Sequence, residues 1–302
     1  LWWLTERGDR FANPNIFQNG KKIETNIDDY GPNIFSNFIV DFIQRNKNAP
    51  FFVYYPMTLV HDPFRPTPDS KDWKDLNKRN IGNNPKYFSE MVTYMDKVVG
   101  EISEALIKNN LHKNTILIFL GDNGTDTKVT TLNNGNEIQG SKGRTIKYAS
   151  NVPMIINWNT KITNFKVSDA LIDLTDFYAT FEDILNVKNH ESYGKSLIPL
   201  MLDNNYRERD VLVTYYNPMW STRGLDRGIF AQSKNYKLYK KGRFFKYSDD
   251  IFEMRPISIN NFTEQENEVF NLLKKSLDTI PDLPKENYNQ WKERLRKIRN
   301  SN

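Results

Sequence analysis

At 302 residues with 38% hydrophobic and 13% aromatic content, the chain can bury a sizeable core, enough for one large domain and a small one. It has no cysteine, which excludes disulfides, thiolate metal sites and a cysteine nucleophile within these residues. Forty-two basic against 37 acidic residues give a formal charge of +5, a mild excess that favours an anionic ligand only weakly, and every apolar run is strand-sized, too short to cross a bilayer.

The chain opens Leu1-Trp2-Trp3, with neither an initiator methionine nor a signal-peptide pattern, and reads as part of a longer protein. Residues 1–29 carry turn signals at Asn13-Pro14 and Asn19-Gly20 without a sustained period, which predicts loop with short strands. Gly31-Pro32 starts a helix with an apolar stripe of Ile34, Phe35, Phe38, Ile39, Phe42 and Ile43. Phe51-Phe52-Val53-Tyr54-Tyr55 reads as a buried strand that ends at Leu59-Val60-His61-Asp62-Pro63-Phe64. A long helix is expected over residues 86–110, with Met91, Tyr94, Val98, Ile102 and Leu106 on its buried face. The next run, Ile116-Leu117-Ile118-Phe119-Leu120, lacks polar alternation and predicts a strand buried on both faces. Strand, helix, strand is the grammar of an α/β fold, a mostly parallel sheet with helices on both faces and a right-handed crossover.

Residues 125–140 read as a polar loop, closed by Gly140-Ser141-Lys142-Gly143. Pro153 to Trp158 is another apolar strand. Asp173-Leu174-Thr175-Asp176 carries cap chemistry for a helix with the stripe Leu174, Phe177, Phe181, Ile184 and Leu185. From about Arg207 the pattern becomes short strands without helices, at 211–216, 228–232, 235–239 and 243–247, with Lys241-Gly242 at a hairpin turn. A helix over residues 264–277 covers this small antiparallel sheet. The expected division is therefore 1–204, the α/β part, and 205–302, a small C-terminal subdomain. The basic tail from Lys285 reads as a solvated helix, so no nucleic-acid partner is expected.

The chemistry gathers in three loops. The strand at 116–120 stops at Gly121-Asp122-Asn123-Gly124, and ligands of open α/β sheets bind just outside the carboxyl ends of strands. Adjacent Asp122 and Asn123 offer a carboxylate and an amide oxygen, hard ligands suited to Ca²⁺ or Mg²⁺, although Asp-Asn-Gly is also ordinary turn chemistry. His61 follows another strand, and Lys142 lies between glycines. A cation, an imidazole and an ammonium together would bind and polarise a tetrahedral anion such as phosphate or sulfate. Singly, each has a plainer reading: a surface histidine, a flexible loop, a turn.

The stretches PFFVYYPMTLVHDPF, NTILIFLGDNGTD and GSKGRTIKYASNVPMIINW, in this order and spacing, resemble the later two-thirds of a type I sulfatase of the alkaline-phosphatase superfamily, and YKLYKKGRFFKYSDD resembles the small sheet such enzymes carry. The resemblance implies hydrolysis of sulfate esters of an aryl or carbohydrate substrate, with sulfated polysaccharide a candidate, and an extracytoplasmic location. It implies Ca²⁺, or Mg²⁺, held in part by Asp122 and Asn123, sulfate contacts from His61 and Lys142, and proton donation to the leaving oxygen by His61. Trp220, Thr222 and Arg223, in a loop after the strand at 211–216, are candidate substrate contacts.

The departures are specific. The family's formylglycine nucleophile arises in a Cys/Ser-x-Pro-x-Arg motif, which these 302 residues do not contain, and the family's other two metal carboxylates are also without counterparts. Asp28-Asp29 looks like a paired-Asp motif, but no buried strand precedes it, so it reads as a loop leading into the first helix. The expectation is an intact protein whose nucleophile lies ahead of Leu1, with residues 1–302 alone inactive and exposing an apolar face. A phosphodiesterase or phosphonate hydrolase of the same superfamily, and a half-sulfatase that binds sulfated glycans without cleaving them, are the alternatives.

Overall fold

Two helices whose apolar stripes face each other make the first core. In the computed structural model, which describes residues 10–187, 193–218, 226–286 and 288–300, this core belongs to the first of two compact units, residues 1–119, 126–139 and 154–160. A short hairpin, β1 (Phe17–Gln18) and β2 (Lys21–Lys22), turns at Asn19-Gly20, both with positive φ. Helix α1 (Gly31–Asn46) starts with Pro32 in its first turn, where its missing N–H costs nothing, and buries Ile39 and Ile43. Helix α2 (Leu76–Asn80) is capped by Asp75, whose carboxylate accepts from the N–H of Asn77 and Lys78. Helix α3 (Phe88–Lys108) buries Met91, Tyr94, Val98, Ile102 and Leu106, the expected face. Burying each such side chain contributes roughly 1.5–3 kcal/mol. Polar ties fix the register between the helices: Tyr94 Oη donates to Asn33 Oδ1 at 2.8 Å, and Ser36 Oγ to Glu101 at 3.3 Å.

Strand β3 (Leu117–Leu120) follows, then a hairpin of β4 (Thr130–Asn133) and β5 (Asn136–Gln139), and β6 (Met154–Asn157), which pairs with β3. Three details differ from the sequence-based expectation. Residues 51–55 form no strand, and Phe52 and Tyr54 are 70% and 80% exposed. Strand β3 is half-buried along its length rather than covered on both faces. The polar stretch after Asp122 contains the β4–β5 hairpin, closed by Asn134-Gly135 with φ of 49° and 80°, the left-handed pair a tight two-residue turn requires.

The second unit comprises residues 120–125, 140–153 and 161–302. It holds α4 (Lys147–Ser150), α5 (Asp176–Leu185) and α6 (Ile198–Met201), then β7 (Leu212–Tyr216), β8 (Gly228–Gln232), β9 (Lys237–Tyr239) and β10 (Phe244–Phe245), followed by α7 (Glu264–Asp278) and α8 (Tyr288–Asn300). The four strands form an antiparallel sheet, as the short strands and turn signals predicted, in the order β10-β9-β8-β7. Thr263 and Glu266 form a reciprocal capping box on α7, which lays Leu273 and Leu277 against Ile229, Leu238 and Phe244. Helix α5 departs from its predicted stripe. Leu174, Ile184 and Leu185 are exposed, while Asp176 and Thr180 are buried. The reason is an ion pair. Arg209 donates in a fork to Asp176, 2.9 Å for its Nη1, and the N–H groups of Lys195 and Asp173 complete the shell at 2.7 Å each. A carboxylate so surrounded turns its helix face inward. Among the described residues no helix is long and apolar enough to cross a membrane.

Candidate functional site

The Asp122-Asn123 turn leaves β3 and is tied down by main chain on both sides. Gly121 N donates to Pro153 O at 3.0 Å, and Gly124 N to Ala149 O at 2.8 Å. Gly124 must be glycine here, because a Cβ would lie 2.1 Å from Tyr148 O and 2.9 Å from the Ala149 Cα. The Lys142 N–H then donates to Thr125 O at 3.0 Å, so the loop carrying the lysine is hydrogen-bonded to the loop carrying the aspartate. All of these residues belong to the second unit.

Asp122 and Asn123 are exposed and Lys142 is half-buried. Among the described residues, no hydrogen bond or ion pair takes the Asp122 carboxylate, the Asn123 amide or the Lys142 ammonium. That is unusual for an Asp-Asn-Gly turn, whose side chains ordinarily bond their own backbone. It leaves two hard oxygen donors side by side and directed by a strand end, a donor set that fits Ca²⁺ or Mg²⁺. Among the described residues no group of three or more histidine, aspartate or glutamate side chains gathers at a point, so these residues offer a partial shell.

His61 belongs to the first unit. Its Nδ1 lies 2.7 Å from the Asp62 carbonyl oxygen and 2.9 Å from Asp62 Oδ1. Facing two acceptors, Nδ1 is the protonated nitrogen, and Nε2 is left for chemistry. The Asp62 carboxylate also takes Lys128 Nζ at 3.1 Å. Burial lowers the pKa of the nearby Arg10 guanidinium against the opposing pull of Asp62. Asp62 and Lys128 are partners that the sequence pattern did not single out; the signal available for Asp62 was its place beside His61. Asp28 and Asp29 are taken up by contacts of the loop, as a loop reading expects. Asp28 pairs with the buried Arg79 at 3.2 Å, and Asp29 accepts from Asn26 N at 2.8 Å. Trp220, Thr222 and Arg223 lie outside the described residues.

Beyond Lys142, the 143–145 segment is held by Asp226. Its N–H donates to Gly143 O at 3.1 Å, and its Oδ2 accepts from Thr145 N at 3.0 Å and Arg144 Nε at 3.1 Å. No motif pointed to Asp226, which is far from Lys142 in sequence.

The sequence model of the sulfatase family matches residues 4–187, more than half the chain. The chain belongs to the sulfatase family. The resemblance carried by the three loop motifs is thereby borne out. Among curated proteins, it is 24% identical over 327 aligned positions to the endo-4-O-sulfatase of Bacteroides thetaiotaomicron, an alignment covering 92% of this chain and 61% of that protein. It is 26% identical over 193 positions to the N-acetylgalactosamine-6-O-sulfatase of the same organism, covering 60% of this chain and 36% of that one. The sulfatase-family chain thus spans between about a third and three-fifths of the length of these relatives. Among solved structures, one protein in complex with its substrate D-glucosamine-2-N,6-O-disulfate superimposes with a TM-score of 0.70 at 17% identity, over 91% of this chain and 75% of that chain. At that identity the match speaks to the fold, and it agrees with the expected α/β class with a small C-terminal antiparallel sheet.

Proposed function

We propose that the protein containing this chain hydrolyses sulfate esters of carbohydrates, and that Asp122, Asn123, Lys142 and His61 belong to its active site. One observation carries the reading: two hard oxygen donors at a strand end and a lysine on the adjoining hydrogen-bonded loop, with side chains that take no internal bond among the described residues. A Ca²⁺ or Mg²⁺ ion bound through Asp122 and Asn123 would supply Lewis-acid polarisation of a sulfate oxygen. The Lys142 ammonium, a compact point charge, neutralises a second sulfate oxygen and is most valuable where charge builds up during S–O cleavage. His61, with its Nδ1–H committed to Asp62, would have to carry a second proton on Nε2, as the imidazolium, to give one to the departing sugar oxygen. The family's nucleophile is a formylglycine, and residues 1–302 contain no Cys/Ser-x-Pro-x-Arg sequence from which one could be made. A sulfated glycan substrate accords with the curated relative named N-acetylgalactosamine-6-O-sulfatase, and an extracytoplasmic setting is what the family resemblance implies.

The test uses the full-length protein. Turnover of an aryl sulfate and of sulfated disaccharides, set against the matching phosphate esters, defines the ester class. Lys142→Ala should lower kcat on the order of 10² or more while calorimetric Ca²⁺ binding survives. Asp122→Ala should lose metal affinity and turnover together. Intact calcium binding in Asp122→Ala would remove the metal assignment.

A further inference from the structure

The small C-terminal sheet carries an ammonium where an apolar side chain would be cheaper. Lys237, in β9, is 2% exposed, and its partner Glu253 has a side chain 4% exposed. Lys237 Nζ donates to Glu253 Oε1 at 2.7 Å and also to the main-chain oxygen of Thr145. Tyr239, two residues along the same strand, donates its phenol to the other oxygen of Glu253, and its Oη lies 2.9 Å from Thr145 Oγ1. The Thr145 hydroxyl is in turn 3.2 Å from Asp226 Oδ2. Burial lowers the Lys237 pKa against the pull of Glu253, and burial with the Glu253 bond raises that of Tyr239. The carbonyl, amide and hydroxyl of one threonine are therefore all gripped by side chains of the sheet and its flanking loops. That threonine stands three residues after Lys142, whose own N–H is bonded to the loop of Asp122.

A buried ion pair is a poor source of stability, since desolvation consumes most of its attraction, and apolar residues of the same volume usually do as well. What such a network does supply is a single permitted path for the backbone it holds. We propose that Lys237, Tyr239, Glu253 and Asp226 form a clamp on Thr145 that positions Lys142 for the sulfate group. These are positioning residues, and the inference rests on the proposed role of Lys142. Lysine alone, on a loop with Gly143 at φ of 84°, would sample many places. Held between Thr125 O on one side and the Thr145 clamp on the other, its main chain keeps one place, from which the ammonium reaches the sulfate.

The experiment is a short series in the full-length protein, assayed with an aryl sulfate and with inorganic sulfate as competitive inhibitor. Thr145→Val keeps the shape and deletes the hydroxyl, and Thr145→Ser restores it. We expect Thr145→Val to lower kcat about tenfold or more and to weaken inhibition by sulfate, with Thr145→Ser returning both. In a Lys142→Ala background, Thr145→Val should change neither quantity further, because the lysine it positions is gone. Should Thr145→Val fail to fold, Tyr239→Phe removes the phenol alone and is expected to behave likewise. Unaltered kcat and sulfate inhibition in a folded Thr145→Val or Tyr239→Phe, a loss of melting temperature alone, or effects that multiply in the double variant would each overturn the clamp. A Lys142→Ala protein with normal turnover would instead sink the proposed role of Lys142 itself, so the two failures are distinguishable.

Discussion

At the residue scale, the side chains that matter divide into those left unspent and those fully committed. Asp122, Asn123 and Lys142 take no side-chain bond among the described residues; the sequence singled them out by residue type, after a strand run and beside glycines, but left the turn reading open. The committed groups were not legible. Asp176 was read as cap chemistry on an apolar helix, whereas its carboxylate is buried and held by Arg209, a partner 33 residues away that no local pattern announces. Burial pushes the Asp176 carboxyl up, but the Arg209 fork and the Lys195 and Asp173 N–H groups outweigh it and hold the carboxyl below its ordinary range. A depressed carboxylate contributes stability that is complete above its unfolded pKa, about 3.9, and is lost as pH falls through the lower native value. Arg209→Ala strands a buried charge and should cost about 3–5 kcal/mol near neutral pH. Urea midpoints of wild type and Asp176→Asn measured from neutral to acid pH should converge as the acid limit is approached. A gap that stays constant with pH would show that the carboxylate contributes nothing through its charge.

Elements with a long, uniform period were read most reliably. The stripe of α3 recurs over about four turns, so the error at any one position is averaged out, and all five predicted core residues are buried. The four C-terminal strands were equally clear, because turn residues separate them at short intervals. Short apolar runs were less informative. The run at 51–55 has strand composition, but a strand exists only where a neighbour bonds it, which composition cannot reveal. The β4–β5 hairpin was missed although Asn134-Gly135 is a strong turn signal, since its strands are polar and exposed. On α1 the period drew too wide a stripe: it included Phe38, which is 46% exposed, along with the buried Ile39 and Ile43. Truncation should expose the difference. Met91→Ala, at the fully buried face of α3, is expected to cost about 2–5 kcal/mol of unfolding free energy, and Phe38→Ala much less. Equal losses at the two positions, measured by denaturant titration, would mean that the α1–α3 face is drawn wrongly.

At the scale of the whole molecule, the described residues combine a sulfatase fold with surfaces that a lone chain rarely leaves open. Ile155, on β6, is 63% exposed, beside the exposures already noted for Phe52 and Tyr54. Strands β3 and β6 pair only with each other among the described residues, so each has an edge whose N–H and C=O groups lack a strand partner there. Open edges and exposed aromatics are what drive one chain to add to another. The same 302 residues contain no Cys/Ser-x-Pro-x-Arg sequence from which a formylglycine could be made. Residues 1–302 produced alone are therefore expected to show no turnover of an aryl sulfate with or without Ca²⁺, and to self-associate at micromolar concentration. Replacing Phe52 and Tyr54 with lysine should reduce the association without restoring activity, because it removes adhesive surface and adds nothing that reacts. Sedimentation velocity across a concentration series reads the first expectation and a sulfate-release assay the second. A monomer that melts cooperatively would show that the exposed strand region is tolerated in water, and metal-dependent sulfate release would show that these residues carry a nucleophile of another kind.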